Sequence, residues 1–149
     1  MTTYSGVFTN AIYHFGIGEI NWASGQTNIW AVLLSARTAA MQTGWAHYSD
    51  ILNQLAASGN YSTGGNVMAP ADITNSSLTE QFGAANTSFT ASTFTASWAV
   101  VQHGTTQTTA TNALLSYHDM GGAQQVINGT LTCQWGSGFV FTNAVAIEA

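Results

Sequence analysis

Beyond Pro70, its only proline, the chain is written in short runs that alternate apolar residues with hydroxyl and amide residues. A side-chain period of two belongs to strands, because successive residues there point to opposite faces. The runs "ADITNSSLTEQF", "TSFTAS", "FTASWAVVQH", "NALLSYHDM", "GTLTCQW" and "FVFTNAVAIEA" are separated by Gly, Asn, Thr or Gln. Strands this short, with turn punctuation between them, point to an antiparallel sandwich or barrel. The alternation puts Phe94, Ala96, Trp98 and Val100 on one side of a strand, and Thr95, Ser97, Ala99 and Val101 on the other. Both sides are partly apolar, so that strand should be covered on both faces. Asn128-Gly129 is a two-residue hairpin signal that would pair the run before it with Thr130–Trp135. The "GSG" at Gly136–Gly138 then leads to the last strand, and "TGG" at Thr63–Gly65 and "MGG" at Met120–Gly122 read as turns.

The first half of the chain is patterned differently. Tyr4, Val7, Phe8, Ala11, Ile12 and Phe15 recur at spacings of three and four, which places them on one face of a short helix that Gly16 stops. Ile20 and Trp22 alternate around Asn21, a Ser-Gly turn follows, and Thr27–Leu34 is rich in strand formers, so a hairpin entering a buried strand is expected. From Ala36 to Asn66 the pattern loosens. Ser49 or Asp50 is a plausible N-cap for a helical piece through Ile51, Leu52 and Leu55, and Gly59, Gly64 and Gly65 break the rest into turns. The expected fold is mainly β: an antiparallel β-sandwich or jelly-roll-like barrel with a short N-terminal helix and one loop-rich segment. It forms a single domain over residues 1–149, without an internal repeat or linker.

Charge narrows the function. Charged residues make up 5% of the chain, against about 25% in an average soluble domain. There is no lysine, and Arg37 alone opposes Glu19, Asp50, Asp72, Glu80, Asp119 and Glu148, for a net charge of −5. A nucleic-acid binder needs several cations to displace counterions from phosphates, so DNA or RNA is not expected as a partner. A basic helix lying on a membrane is excluded on the same ground, and no apolar run approaches the roughly 18 residues of a spanning helix. The N-terminus lacks the basic region of a signal peptide, so synthesis in the cytoplasm is expected. Few charges also leave the surface to be wetted by Thr, Ser, Asn and Gln or covered by neighbours. That favours a homo-oligomeric or particle-bound protein.

The residues available for chemistry are sparse. His118 stands beside Asp119, but neighbours on a strand point to opposite faces, which suits a polar strand end better than a proton-transfer pair. His14, His47 and His103 show no metal-ligand spacing, and no metal or other cofactor is expected. "FGIGEI" lacks the third glycine, the following helix and the lysine of a phosphate cradle, and no G-x-S-x-G elbow occurs. Cys133 in "TLTCQW" is alone, with nothing basic near it in sequence, and reads as a packed strand residue. No enzymatic site is expected. Of the five tryptophans, Trp30, Trp98 and Trp135 lie in strand-like runs and read as core, whereas Trp45 lies in the loop-rich segment next to His47 and Tyr48. Trp45, His47, Tyr48 and Tyr61 are therefore the candidate partner contacts.

The segments "GEINWASGQTNIWAVLLS", "FTASWAVVQ" and "LLSYHDMGGAQQVINGTLTCQWGSGFVF" together resemble small virion proteins of tailed bacteriophages, encoded among the head genes. Those proteins begin with a short helix, pass through a G-x-I-x-W segment into an apolar strand and end in a glycine-bounded hairpin. The resemblance runs from Tyr4 to Phe141. It implies a mostly β capsid decoration or cement protein that binds the major capsid protein on the outside of the head, commonly as a homotrimer, and it brings no catalytic residues. This chain departs from the pattern in its lack of lysine, so its contacts would run through loops and backbone rather than ion pairs. Two other roles are open to the same residues: a virion-displayed module that binds host glycans through loop aromatics, and a tail or head-to-tail connector component.

Overall fold

β2, Ile29–Leu34, is buried at every position, and its surroundings explain the architecture. Ile29, Ala31 and Leu33 enter one apolar cluster, while Val32 and Leu34 enter another, as the strand period requires for a strand covered on both faces. β6, Thr87–His103, lies beside it with Leu33 opposite Ala99 and Leu34 opposite Trp98. β7, Ala113–Cys133, flanks β6, and at its start Ala113 and Leu115 face the first cluster while Leu114 faces the second. Full burial of a side chain of this size contributes roughly 1.5–3 kcal/mol, so this two-sided layer is the stable centre of the chain.

The structure is a computed structural model and describes residues 5–76, 79–135 and 139–144. β1, Ser5–Val7, precedes the helix α1, Thr9–Gly16; β3, Asn66–Val67, and β4, Pro70–Ser76, precede β5, Thr79–Ala84; and β8, Phe139–Ala144, ends the described chain. All pairings are antiparallel and form two open sheets, a five-stranded one in the order β1-β7-β6-β2-β3 and a three-stranded one in the order β4-β5-β8. Phe82 and Ala84 of the smaller sheet join the first cluster with Ala11, Trp22, Tyr61, Phe89 and Trp135. The second cluster has no described residue of the smaller sheet, and is closed instead by Phe8, Met41 and Trp45. The mainly β, antiparallel character and the short helix agree with the sequence, as does the loop-rich stretch before Asn66, which contains only the 3-10 turns Ala39–Gln42 and Tyr48–Asp50.

Several local expectations are corrected. Asn128-Gly129 is not a hairpin turn, because β7 continues through it against β6. With Ser92 opposite Gly129 and Phe94 opposite Val126, Ile127 and Asn128 together face Thr93, which is a β-bulge. Asn128 takes the left-handed conformation at φ 46°, and its N–H donates to the Thr93 hydroxyl at 2.8 Å. The "MGG" segment is likewise a bulge rather than a turn: Ala96 faces Gln124 and Trp98 faces Asp119, so Met120–Ala123 bulge opposite Ser97, with Gly121 and Gly122 at positive φ. That shift moves Ala96 into the first cluster and Trp98 into the second, although simple alternation places both on one side.

The N-terminal helix is shorter than its pattern suggests, since Val7 pairs with Ser116 in β1 and Tyr4 lies outside the described residues. Ile12 then turns outward. Ile20 and Trp22 form no strand but are buried, and the Trp22 indole N–H donates to the Gly83 carbonyl at 2.7 Å. Asp50 is not an N-cap; it sits at the third position of the turn capped by His47, and no helix follows through Leu55. The "GSG" connection lies outside the described residues.

Candidate functional site

Two of the sequence candidates are interior residues. Trp45 is 7% exposed, because among the described residues no second sheet covers the face it packs on and the loop supplies the apolar lid itself. Tyr61 is 1% exposed and packs edge-on against Phe89 and Phe94. Neither presents an open aromatic face to a partner. His47 and Tyr48 are half-buried at the adjoining surface. Their segment is held to the start of β7: Leu114 N–H donates to Ala46 O at 2.9 Å, and Tyr48 N–H to Asn112 O at 2.9 Å. Asp50 accepts from the Ala46 and His47 amides, both at 2.9 Å, and those two bonds hold its carboxyl below the usual range. The Tyr48 hydroxyl donates to Gln54 at 2.9 Å, so the turn is braced rather than loose.

Beside this turn runs a groove of about 310 Å³ between α1 and the 43–46 segment, lined by Phe8, Thr9, Asn10, Tyr13, Thr43 and the edge of Trp45. Asn10 donates to Ala46 O at 3.3 Å and ties the two walls together. Ile12, Tyr13 and Ile17 of α1 and its C-terminal cap are all more than half exposed, with Tyr13 at 61%. This apolar outer face was hidden in the sequence by a helix pattern that turned Ile12 inward. Ile17, one residue past Gly16 and not part of that pattern, was the available signal.

A wider cleft of about 450 Å³ lies where Trp135 meets β7, and holds His118, Asp119, Gln124 and Cys133. Its residues are chemically quiet. His118 shares a 2.9 Å hydrogen bond with the Ser116 hydroxyl, and burial drops its pKa to about 4, so the ring is neutral at pH 7. Asp119 turns to accept the Gly121 N–H at 2.9 Å. Burial pushes the Cys133 thiol up to about 12, which removes the thiolate that a nucleophile requires.

The third cleft, about 340 Å³, gathers His14, Glu19, Asn28, His103, Thr105 and Asn112. His14 pairs with Glu19, while His103 shares a 2.9 Å bond with Asn28 and is held below the usual imidazole range chiefly by burial. Among the described residues, no group of three or more His, Cys, Asp or Glu side chains is arranged to hold a metal ion.

Comparison with protein-family models, curated proteins and solved structures finds no match to this chain.

Proposed function

We propose that the protein is a non-catalytic structural component of a bacteriophage head, a decoration or cement protein docked on the outside of the shell as an oligomer. The observation that carries this reading is the combination of an apolar outer face on α1 with a chain almost free of charge: Ile12, Tyr13 and Ile17 stand more than half exposed, next to a polar-lipped groove. Such a face suits a protein that works against a neighbour. In the cleft beside Trp135, His118 is a weak base with its pKa at about 4, and Cys133 is held as the thiol. The two sheets, sharing a core through Phe82 and Ala84, are read as an open sandwich.

Cementing would work by mass action. A protein that binds only the assembled lattice adds about 2.7 kcal/mol per site against opening at a concentration one hundred times its Kd. The test is the heat-disruption temperature of undecorated capsids with and without the protein. A rise that saturates with occupancy supports cementing, and an unchanged temperature at full occupancy overturns it.

The groove favours a second reading. Tyr13 offers an exposed ring beside Thr9, Asn10 and Thr43, a mixture of apolar face and hydrogen-bonding side chains that fits a sugar. Glycan-array binding that Tyr13→Ala abolishes would establish this role, whereas Trp45→Ala would act on the fold.

A further inference from the structure

The five-stranded sheet has unequal edges. β3, two residues long, closes one side, and on the other β1 covers β7 only at Ser116–His118. The next stretch of β7 is served by side chains: Asp119 accepts the Gly121 N–H, and Gln124 donates to Met120 O at 3.3 Å and to Gly122 O at 3.4 Å. From Ala123 to Cys133 no described strand pairs with the outer edge, while the inner edge pairs with β6 through two register shifts, between Val126 and Gly129 and between Gly129 and Leu131. At about 3.4 Å per residue, this segment spans at most roughly 37 Å, and among the described residues no strand takes the backbone N–H and C=O groups of its outer edge.

We infer that this edge of β7 pairs with the same edge of a second copy of the chain, so that two five-stranded sheets become one across a two-fold axis. Proteins ordinarily blunt a long edge with lysine, proline, an inward charge or a bulge, and of these "AQQVINGTLTC" carries only the bulge at Ile127–Asn128, with unbulged strand on both sides of it. The chain has a net charge of −5, so two copies repel in most orientations, yet from Met120 to Cys133 there is no charged residue. Two copies therefore meet here without like charges opposed, while an acidic or basic foreign strand finds no charge to select it. Ile127 stands on this edge at 73% exposure, the most exposed large hydrophobic side chain among the described residues, and a second strand covers it. Antiparallel self-pairing is isologous, each residue meeting in the partner the one that meets it, and it closes at two copies. The symmetry differs from the three-fold that the resemblance implies. It also stands independently of the capsid role.

Light scattering after size exclusion tests the inference, with Ile127→Lys/Thr130→Lys as the comparison. Both side chains are exposed, so the lysines leave the core intact and place like charges across the proposed axis. The expected result is twice the 15.6 kDa of one chain for the wild type, one chain mass for the variant, and matching circular dichroism. In the wild type, amide exchange within 123–133 should slow at least tenfold between dilute and concentrated protein, a readout that needs no variant. A wild-type monomer or trimer overturns the inference, as does a dimer that the lysines leave intact or one without added protection at 123–133.

Discussion

The Tyr61 hydroxyl lies 3.1 Å from the amide nitrogen of Leu33 and 3.4 Å from its carbonyl oxygen, and so takes the place of a strand neighbour at the point where β3 has ended. β3 pairs with β2 at Trp30 and Ala31 only, yet Leu33 is fully buried. A buried N–H without a partner is costly, and the phenol supplies one. Tyr61→Phe keeps the ring contacts with Phe89 and Phe94 and removes only the hydroxyl. It should lower stability by about 1–3 kcal/mol, read as a shift in urea midpoint at unchanged m-value.

Two glycines with similar backbone angles should respond differently to alanine. Gly65 has φ 95°, and a Cβ there would run into the Ala31 carbonyl and the β2 backbone, which has no room to move. Gly121 has φ 76° but open space around it. Gly121→Ala should cost about 1 kcal/mol, the strain of the left-handed conformation alone. Gly65→Ala should cost about 2 kcal/mol or more, and thermal melts of the two variants would separate strain from collision.

Acid should weaken the fold as pH falls from about 6.5 toward 4. His118 is neutral in the folded chain down to about pH 4, whereas the unfolded ring takes up a proton near 6.5. The unfolded state therefore binds more protons between those values, and stability falls as pH drops through that window. The loss at pH 4.5 relative to pH 7.5 should be on the order of 2 kcal/mol. His118→Gln should flatten most of the slope and leave a remainder of the same sign from His103, whose pKa is also depressed. Urea titrations of both proteins across that range are the measurement.

Cys133 should react with a disulfide reagent at pH 8 far more slowly in the folded protein than in urea. Its thiol titrates near 12, so the reactive thiolate is scarce in the native state. Equal rates in the two states would refute the burial that holds it there.

The sequence announced the β class and the buried strand Ile29–Leu34, because period and strand propensity are local properties. It did not announce where pairing continues. Asn128-Gly129 has the composition of a hairpin turn, and nothing within the segment reveals that Thr93, 35 residues away, holds the Asn128 amide inside a strand. The same limit explains the candidate contacts. Trp45 and Tyr61 sit among loop residues in sequence, so exposure was the natural expectation. Their burial depends on a sheet face that no described second sheet covers and on the Leu33 amide, to which the Tyr61 hydroxyl is the partner. His47 and Tyr48, whose backbone is tied to the start of β7, are half-buried at the surface beside it.

The bulges that interrupt β6 and β7 carry a consequence for how the chain reaches its fold. A ribbon of repeating Thr, Ser, Ala and Gln could slide by two residues with little change in what each face shows. The four interruptions, near Ala91, Thr93, Ser97 and Leu115, are unevenly spaced, so a slipped alignment would bring each bulge opposite a residue that cannot receive it. They act like the irregular cuts of a key. Misaligned ribbons should be short-lived, and the long hairpin should zip from its Gly104–Asn112 end in a single alignment before the distant β5 and β8 strands arrive.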